Sequence, residues 1–224
     1  RYVRLDGDGK RKLAGVIAEI AEQYENALRA GSPEAILQGL SNIRVLCAHR
    51  RGELGVEGMN DAILNALRNR KNSVVRGRGP FFHGRVVMIT ENDHGQGLYN
   101  GDVGIVLGEG SGARVYFEGR ATGSEGENDE KKARSFAPTS LPPHETAFAM
   151  TIHKSQGSEF THAVVVLPSE PSPIVTRELL YTGVTRAKER VTIVSTDEVI
   201  RAAVKETIKR ASGLGDWLWR RERA

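Results

Sequence analysis

Short apolar runs alternate with stretches of helical periodicity along much of this chain, and this alternation most constrains the fold. The predicted strands lie at 43–48, 146–151, 163–167 and 191–194. Predicted helices lie at 12–29, from Ser32-Pro33 onward, at 57–69, at about 176–188 and at about 197–211. Strands that are apolar on both faces belong in parallel sheets covered by helices. The chain is therefore predicted to be an α/β protein with a parallel sheet.

The middle of the chain has a different sequence pattern. A cluster of glycine, arginine and proline at 76–80 precedes a region of short predicted strands, and prolines between 138 and 143 follow that region. Asn100-Gly101 is a strong tight-turn signal, and 119–134 reads as an exposed hairpin tip or mobile loop. The predicted division is 1–76 as the first part of the α/β domain, 77–144 as a small β-barrel insert, and 145–224 as the second part.

The composition is that of a globular chain and excludes several classes of protein. Lys and Arg number 32 against 28 Asp and Glu, so the net charge is +4, which is compatible with a polyanionic partner. No apolar run is long enough for a membrane span. The single cysteine, Cys47, excludes an internal disulfide and is expected to be buried. The opening residues carry neither Met nor a signal-peptide pattern, so we expect a fragment of a longer protein.

The segment 151–160 follows a predicted strand and is rich in groups that can bind phosphate. Its hydroxyls and backbone N–H groups can donate to phosphate oxygens, and His153 and Lys154 add donors and positive charge. Gly157 lets the backbone approach a ligand closely, and Glu159 can accept a hydrogen bond from a ribose hydroxyl. On composition alone, a polar loop between two strands is the favoured alternative.

Two further segments carry candidate phosphate-binding arginines. Arg186 is predicted on the helix at 176–188, where an arginine can reach an anion across a domain cleft as an arginine finger. Arg50 or Arg51 follows the strand at 43–48, at the end where α/β sheets bind ligands. The alternatives are an ordinary surface arginine and a basic surface loop.

The sequence lacks half of an ATPase. No Gly-x-x-x-x-Gly-Lys-Ser/Thr phosphate loop occurs in the 224 residues, and Gly9-Lys10 lacks its flanking residues. The run at 194–198 resembles a magnesium site, but a helix capping box formed by Ser195 and Glu198 explains it better. The six histidines show no metal-ligand spacing, so no metal site is predicted.

Taken together, these motifs resemble those of the RecD family, the alpha subunits of exodeoxyribonuclease V. Residues 153–160 and 181–187 look like motifs V and VI of superfamily 1 DNA helicases, and 46–60 resembles the motif IV region of RecD. Further matching segments lie at 91–93, 97–104 and 141–146. The resemblance covers roughly residues 43–212, and the motifs are specific in combination rather than singly.

The resemblance implies a RecA-like second motor domain carrying an SH3-like insert. It implies 5′→3′ translocation on single-stranded DNA, with ATP and Mg²⁺ bound by the intact parent and neither expected on the fragment alone. By position, Arg186 would be the arginine finger and Arg50 would lie near the γ-phosphate. The nucleotide contacts would be Gly157 and Glu159. The DNA contacts would be Thr151, His153, Lys154, Ser155 and Gln156.

The implied partners are the missing first motor domain and RecB- and RecC-type subunits, in the bacterial cytoplasm. The fragment alone is expected to hydrolyse no ATP. One alternative is another helicase of this branch, such as a relaxase-helicase or a stand-alone RecD-like enzyme. The other is a non-motor module, in which the β insert and a tail containing Trp217 and Trp219 dock onto partner subunits.

Overall fold

The computed structural model describes residues 1–119 and 132–207. The helices are α1 (Gly9–Leu28), α2 (Pro33–Ser41), α3 (Val56–Arg68), α4 (Arg177–Val184) and α5 (Asp197–Lys205). The strands are β1 (Tyr2–Arg4), β2 (Ile43–Cys47), β3 (Val86–Ile89), β4 (Val103–Leu107), β5 (Arg114–Phe117), β6 (Arg134–Phe136), β7 (His144–Thr146), β8 (Ala149–Thr151), β9 (Phe160–Val166) and β10 (Ala187–Ser195).

A parallel five-stranded sheet, in the order β1-β10-β9-β2-β8, confirms the predicted α/β class. Every residue of β2 is buried, and only Thr161 of β9 is partly exposed, so helices cover both faces of the sheet. Helix α1 packs against α2 and α3, and α4 packs against α5. β1, at the sheet edge, is a strand that the sequence pattern missed.

The second sheet is antiparallel, in the order β6-β5-β4-β3-β7, and has its own small apolar core. The predicted tight turn precedes β4: Gly101 has a φ of 96°, and the Asp102 N–H donates to the Tyr99 carbonyl at 2.9 Å. Within the described residues β6 and β7 each have one partner strand, so the pairing gives an open sheet. Its classification as an SH3-like barrel and the limits at 77 and 144 stay predictions.

The predicted strand at 146–151 is wrong, because the chain changes sheet within it. β7 belongs to the antiparallel sheet and β8 to the parallel sheet, and only Ala147 and Phe148 separate them. Both residues are fully buried, and the Phe148 carbonyl accepts a hydrogen bond of 2.6 Å from the Tyr24 hydroxyl. A continuous run of apolar and hydroxyl side chains does not record which neighbouring strand each part pairs with.

The helix ends also differ from the sequence pattern. Helix α2 begins as predicted, with the Ser32 hydroxyl accepting from the Ala35 N–H and Pro33 in the first turn. The residue that caps α5 is Thr196, whose hydroxyl accepts from the Val199 N–H, so the capping box predicted at Ser195 is wrong. Helix α5 ends at Lys205, so the predicted helix to about 211 is too long, and Gly213 and the two tryptophans lie outside the described residues.

Helix α4 ends at Val184, so the predicted helix over 176–188 is too long. Arg186 therefore lies in the turn between α4 and β10, not on the helix. Strand β10 begins at Ala187 and passes through an irregularity before Arg190. A strand that starts directly after the helix shortens it, and this pairing with β9 is a tertiary effect absent from the local pattern.

The structure also bears on the classes that composition excluded. Across the described part of the chain, no helix is long and apolar enough to cross a membrane. The same residues contain no cluster of three or more His, Cys, Asp or Glu side chains that could hold a metal ion. Cys47 is buried as predicted, and burial raises the pKa of its thiol to about 12.

Candidate functional site

Arg186 is held at the amino end of β9 and β10 by neutral acceptors. Its Nε donates to the Thr182 carbonyl at 3.2 Å, and its Nη1 donates to the Ser158 carbonyl at 3.1 Å. A longer contact of 3.4 Å joins Nη2 to the Thr185 hydroxyl. These contacts orient the guanidinium without neutralising it, because carbonyl and hydroxyl oxygens carry no net charge.

The candidate nucleotide-binding residues lie beside Arg186. Its backbone carbonyl accepts from the Phe160 N–H at 2.8 Å, which places Glu159 next to the turn. Glu159 is exposed, and Lys188 Nζ lies 3.8 Å from its carboxylate. Gly157 adopts a φ of +85°, and no protein atom lies within 4 Å of where a Cβ would stand. The structure thus brings three of the four predicted nucleotide contacts together, in a loop that is open to solvent.

The candidate DNA-binding residues form a short 3₁₀ turn (His153–Ser155) directly after β8. The Thr151 hydroxyl accepts from the Lys154 N–H at 3.2 Å and so closes the start of the turn. His153 and Gln156 are exposed. These two side chains are therefore the ones most available to a ligand.

Ser155 does not occupy the position that the sequence suggested. Its side chain is fully buried, and its hydroxyl donates to the Ile152 carbonyl at 2.7 Å. The backbone N–H groups of Ser155, Gln156 and Ser158 donate to carbonyls within the same loop. The expectation that exposed N–H groups of this loop hold phosphate is therefore wrong at these three positions, because the tight turn already satisfies them.

A groove of about 870 Å³ runs along this turn. His153 and Gln156 line one side of it, and Glu178 and Thr182 of α4 line another. The segment 171–174, with Ile174 about half exposed, and the carboxyl-terminal end of α5 form the rest of the wall. The groove thus connects the two most accessible DNA candidates with the helix that leads to Arg186.

Arg50 lies elsewhere, in an ion-pair cluster with Glu145 and the candidate DNA-binding residue Lys154. Its Nη2 donates to Glu145 Oε2 at 2.9 Å, and Lys154 Nζ donates to Glu145 Oε1 at 2.8 Å. Glu145 belongs to β7 of the antiparallel sheet. One carboxylate therefore joins the loop after β2, the turn after β8 and the second sheet.

Arg50 and Arg186 lie at opposite ends of the parallel sheet. Arg50 follows the carboxyl end of β2, whereas Arg186 precedes the amino end of β10. β9, which separates β2 from β10, has seven residues, a length of about 20 Å at the usual rise per residue. About one strand length therefore separates the two arginines along the sheet, and their joint role near the γ-phosphate stays a prediction.

Two functional candidates, Glu145 and Gly183, were not singled out in the sequence. Glu145 falls within the matching segment 141–146, but nothing in the sequence pairs it with Arg50, which lies 95 positions away. Gly183 is a different case: an added Cβ would stand 3.3 Å from both Ile152 and Val165. A glycine inside a predicted helix is a signal for such close packing, and here it lets α4 lie against the sheet beside the 3₁₀ turn.

Comparison with known proteins gives consistent matches. A family model of the UvrD-like helicase C-terminal domain matches residues 146–194. The RecBCD enzyme subunit RecD of Haemophilus influenzae is 43% identical over 185 residues, which are 83% of this chain and 26% of that protein. RecD of Mycobacterium tuberculosis H37Rv is 38% identical over 209 residues, 93% of this chain and 34% of that protein.

Two more distant proteins are also similar to this chain. The ATP-dependent RecD2 DNA helicase of Deinococcus radiodurans is 33% identical over 159 residues, 69% of this chain and 20% of that protein. A solved Bacteroides Pif1 helicase in complex with ADP-AlF3 and ssDNA has a TM-score of 0.46 and 18% identity, covering 92% of this chain and 54% of that one. A likeness of that size identifies neither site nor activity.

The chain spans about a quarter to a third of the length of the RecD proteins it matches. The share is 26% for the Haemophilus influenzae protein and 34% for the Mycobacterium tuberculosis protein. The matches nevertheless extend over most of the chain itself, and the family model spans both the 3₁₀ turn and Arg186. By sequence, this chain belongs to the RecD family of superfamily 1 helicase proteins, and residues 146–194 are its UvrD-like helicase C-terminal domain.

Proposed function

We propose that this chain is the second, RecA-like motor domain of an ATP-driven 5′→3′ translocase on single-stranded DNA, with Arg186 as its arginine finger. The observation that carries the proposal is the state of Arg186. Its guanidinium is fixed by two carbonyls and a hydroxyl. Among the described residues no carboxylate lies within ion-pair distance of it. A pre-oriented, uncompensated cation suits the charge that develops on a transferring phosphoryl group.

The residues next to Arg186 suit the rest of a nucleotide. Glu159 can accept from a ribose hydroxyl, and the exposed backbone at Gly157 leaves room for a ligand. ATP and Mg²⁺ would be held mainly by a phosphate loop on another domain, because this sequence has none. A first motor domain supplied by the same longer chain would place ATP between two lobes, with Arg186 closing on it from this side.

The DNA strand would lie along the 3₁₀ turn and its groove. His153 and Gln156 are exposed there and can donate hydrogen bonds to phosphates or sugars. Lys154 supplies a positive charge, and Thr151 and Ser155 serve mainly to shape the turn through their internal hydrogen bonds. Since the turn is directly continuous with the loop that reaches Arg186, nucleotide-dependent lobe closure can change the DNA contacts.

The natural setting of this activity is part of the proposal. The RecD relatives are named as subunits of a RecBCD enzyme, so we infer that RecB- and RecC-type subunits assemble with this protein in the bacterial cytoplasm. The RecD2 relative is named as an ATP-dependent DNA helicase and not as a subunit, so a stand-alone enzyme stays the alternative. In either setting the chain would contribute to DNA-break repair through translocation.

The test is the DNA-stimulated ATPase of the full-length protein, wild type against Arg186→Ala. A trans-acting finger predicts a fall in kcat of about a thousandfold or more. Arg177→Ala is the matched control, because Arg177 is exposed at the start of α4, the helix that precedes Arg186. It should leave kcat within about twofold, since isolated surface charges contribute little.

Two outcomes would overturn this assignment. Near-wild-type turnover of Arg186→Ala would place the catalytic arginine elsewhere and favour a docking module. ATP hydrolysis by the isolated 224-residue chain, abolished by the same substitution, would show that the chain does not depend on a second lobe. Circular dichroism and DNA binding of each variant guard against a loss caused by misfolding.

A further inference from the structure

We propose that Arg50 is a contact for the DNA phosphate backbone, not for the γ-phosphate of ATP, and that the Glu145 carboxylate occupies it until DNA binds. The inference rests on the proposed function, since it assumes a DNA strand along the 3₁₀ turn. It assigns Arg50 a new ligand and gives Glu145 a role as a competing internal anion. Its basis is the way in which three charged side chains from three separate elements meet.

The meeting point resembles a phosphate site with a carboxylate in the place of the phosphate. Arg50 and Lys154 each donate to a different oxygen of Glu145, at 2.9 and 2.8 Å. Carboxylates and phosphates offer similar pairs of oxygen acceptors to arginine and lysine. With two cations and one carboxylate, the cluster keeps an excess of one positive charge, which a phosphate group would neutralise.

The sheet topology puts this cluster on the DNA side of the domain. β2 and β8 are neighbours, and Cys47 pairs with Thr151 at their carboxyl ends. The loops that follow these two strands carry Arg50 and the 3₁₀ turn, so both lie at the carboxyl ends of the strands. Arg186 lies at the amino ends of the strands, about one strand length away. A phosphate on Arg50 therefore belongs to the ligand of the 3₁₀ turn.

The three side chains differ in their freedom to exchange partners. The side chain of Arg50 is 59% exposed, against 27% for Lys154 and 23% for Glu145. Arg50 can therefore swing to a phosphate while Lys154 stays on the carboxylate. The Arg50 backbone is fixed because its carbonyl accepts from the Glu57 N–H at 3.0 Å, so the exchange needs only side-chain rotation.

The competing carboxylate is held in place by the packing around it. Glu145 pairs with Met88 in the antiparallel sheet. The chain that follows runs through two fully buried residues, Ala147 and Phe148, into β8. Because the Glu145 carboxylate is held in place and the Arg50 side chain can rotate, a DNA phosphate can replace Glu145 as the partner of Arg50. Because the acceptor belongs to the second sheet, that sheet helps to set the DNA affinity.

The experiment measures binding of fluorescently labelled oligo(dT) to the full-length protein by anisotropy over a NaCl titration, without nucleotide. Arg50→Gln should lose one phosphate contact, lowering the slope of log K against log salt by about 0.7 and the affinity about fivefold at 0.1 M salt. Arg51→Gln, the same charge change one residue away on an exposed side chain, is the matched control and should keep the slope.

Glu145→Gln tests the competition directly. Removing the carboxylate frees Arg50, so the affinity for oligo(dT) should rise about two- to fivefold, the worth of one exposed ion pair. The gain should shrink when the substitution is combined with Arg50→Gln.

Three results would contradict these proposals, and each one identifies a different proposal as wrong. A wild-type salt slope for Arg50→Gln, together with a large fall in kcat at saturating DNA, would return Arg50 to the γ-phosphate and overturn the inference. Weaker DNA binding by folded Glu145→Gln would show that the carboxylate orients the cations and does not compete. Wild-type protein that fails to bind oligo(dT) at low salt would refute the proposed function itself.

Discussion

Asn60 is predicted to be the main polar support of the crossover between the two sheets. The residue lies on α3 and is only 8% exposed. Its Nδ2 donates to the carbonyls of Thr146 and Ala149 at 3.2 and 3.3 Å, and its Oδ1 accepts from the Ala149 N–H at 2.9 Å. These bonds hold both ends of the short segment that joins β7 to β8. The 3₁₀ turn follows β8 directly, so the support reaches the proposed DNA site.

The substitution Asn60→Ala removes all three hydrogen bonds at once. At about 0.5–1.5 kcal/mol net for each bond, the expected loss in the free energy of unfolding is about 1.5–4.5 kcal/mol. Alanine also has the higher helix propensity, which returns up to about 0.7 kcal/mol. Asn65→Ala is the matched control, because Asn65 is exposed on the same helix and gains the same propensity without losing a buried bond.

Asn60→Asp sharpens the test. It keeps the shape and the acceptor to Ala149, but it turns a carboxylate oxygen toward two carbonyls where an amide donated. The loss should therefore exceed that of Asn60→Ala at neutral pH and should shrink at acidic pH, where the carboxyl group is protonated. Urea unfolding followed by circular dichroism measures all three variants. An Asn60→Ala midpoint equal to that of Asn65→Ala would refute the reasoning.

Two further predictions follow from buried titratable groups. Desolvation by burial, together with the nearby Arg190 charge, lowers the pKa of His162 to about 4, and its ring accepts from Arg190 and donates to Thr192 as a neutral imidazole. The stabilisation by neutral His162 is complete above pH 6.5 and falls toward pH 4, by at most about 2 kcal/mol at pH 5 before solvent screening. The thermal unfolding temperature of His162→Gln should therefore depend less on pH between 6.5 and 4 than that of the wild type. Equal pH dependence would contradict the low pKa of His162. Cys47 should resist a thiol reagent at pH 8 in the native state and react on unfolding, so rapid native labelling would show that β2 is not buried.

Local chemistry explains why some elements could be predicted from sequence. Ser32 and Pro33 fix the start of α2 through a hydroxyl acceptor and a preset φ, both of which are properties of adjacent residues. The run at 43–47 is apolar except for Arg44, and it forms a fully buried inner strand because it offers little to water. Arg44 is itself buried and donates to the Ala147 carbonyl at 2.8 Å. The turn at Asn100-Gly101 follows from the positive φ that glycine tolerates.

Two of the errors arise where distant segments decide the local structure, and a third arises within a single tight turn. Pairing of Ala187 with Phe160 ends α4 early and moves Arg186 into a turn. Pairing of Glu145 with Met88, and of Ala149 with Val45, splits one apparent strand between two sheets. The Ser155 hydroxyl, expected to face a ligand, turns inward because the 3₁₀ turn offers the Ile152 carbonyl as an acceptor.

By itself, the sequence determined the α/β class, the order of the motifs, the family and the absence of a phosphate loop. Those properties depend on residue type, spacing and periodicity, all of which can be read along the chain. Only the tertiary structure decided which charges act together. In the parallel sheet, Arg50 and Arg186 lie at opposite ends of the strands. Glu145 bonds to both Arg50, 95 positions before it, and Lys154, 9 positions after it. Electrostatic contacts depend on distance in space, and spacing along a sequence does not determine that distance.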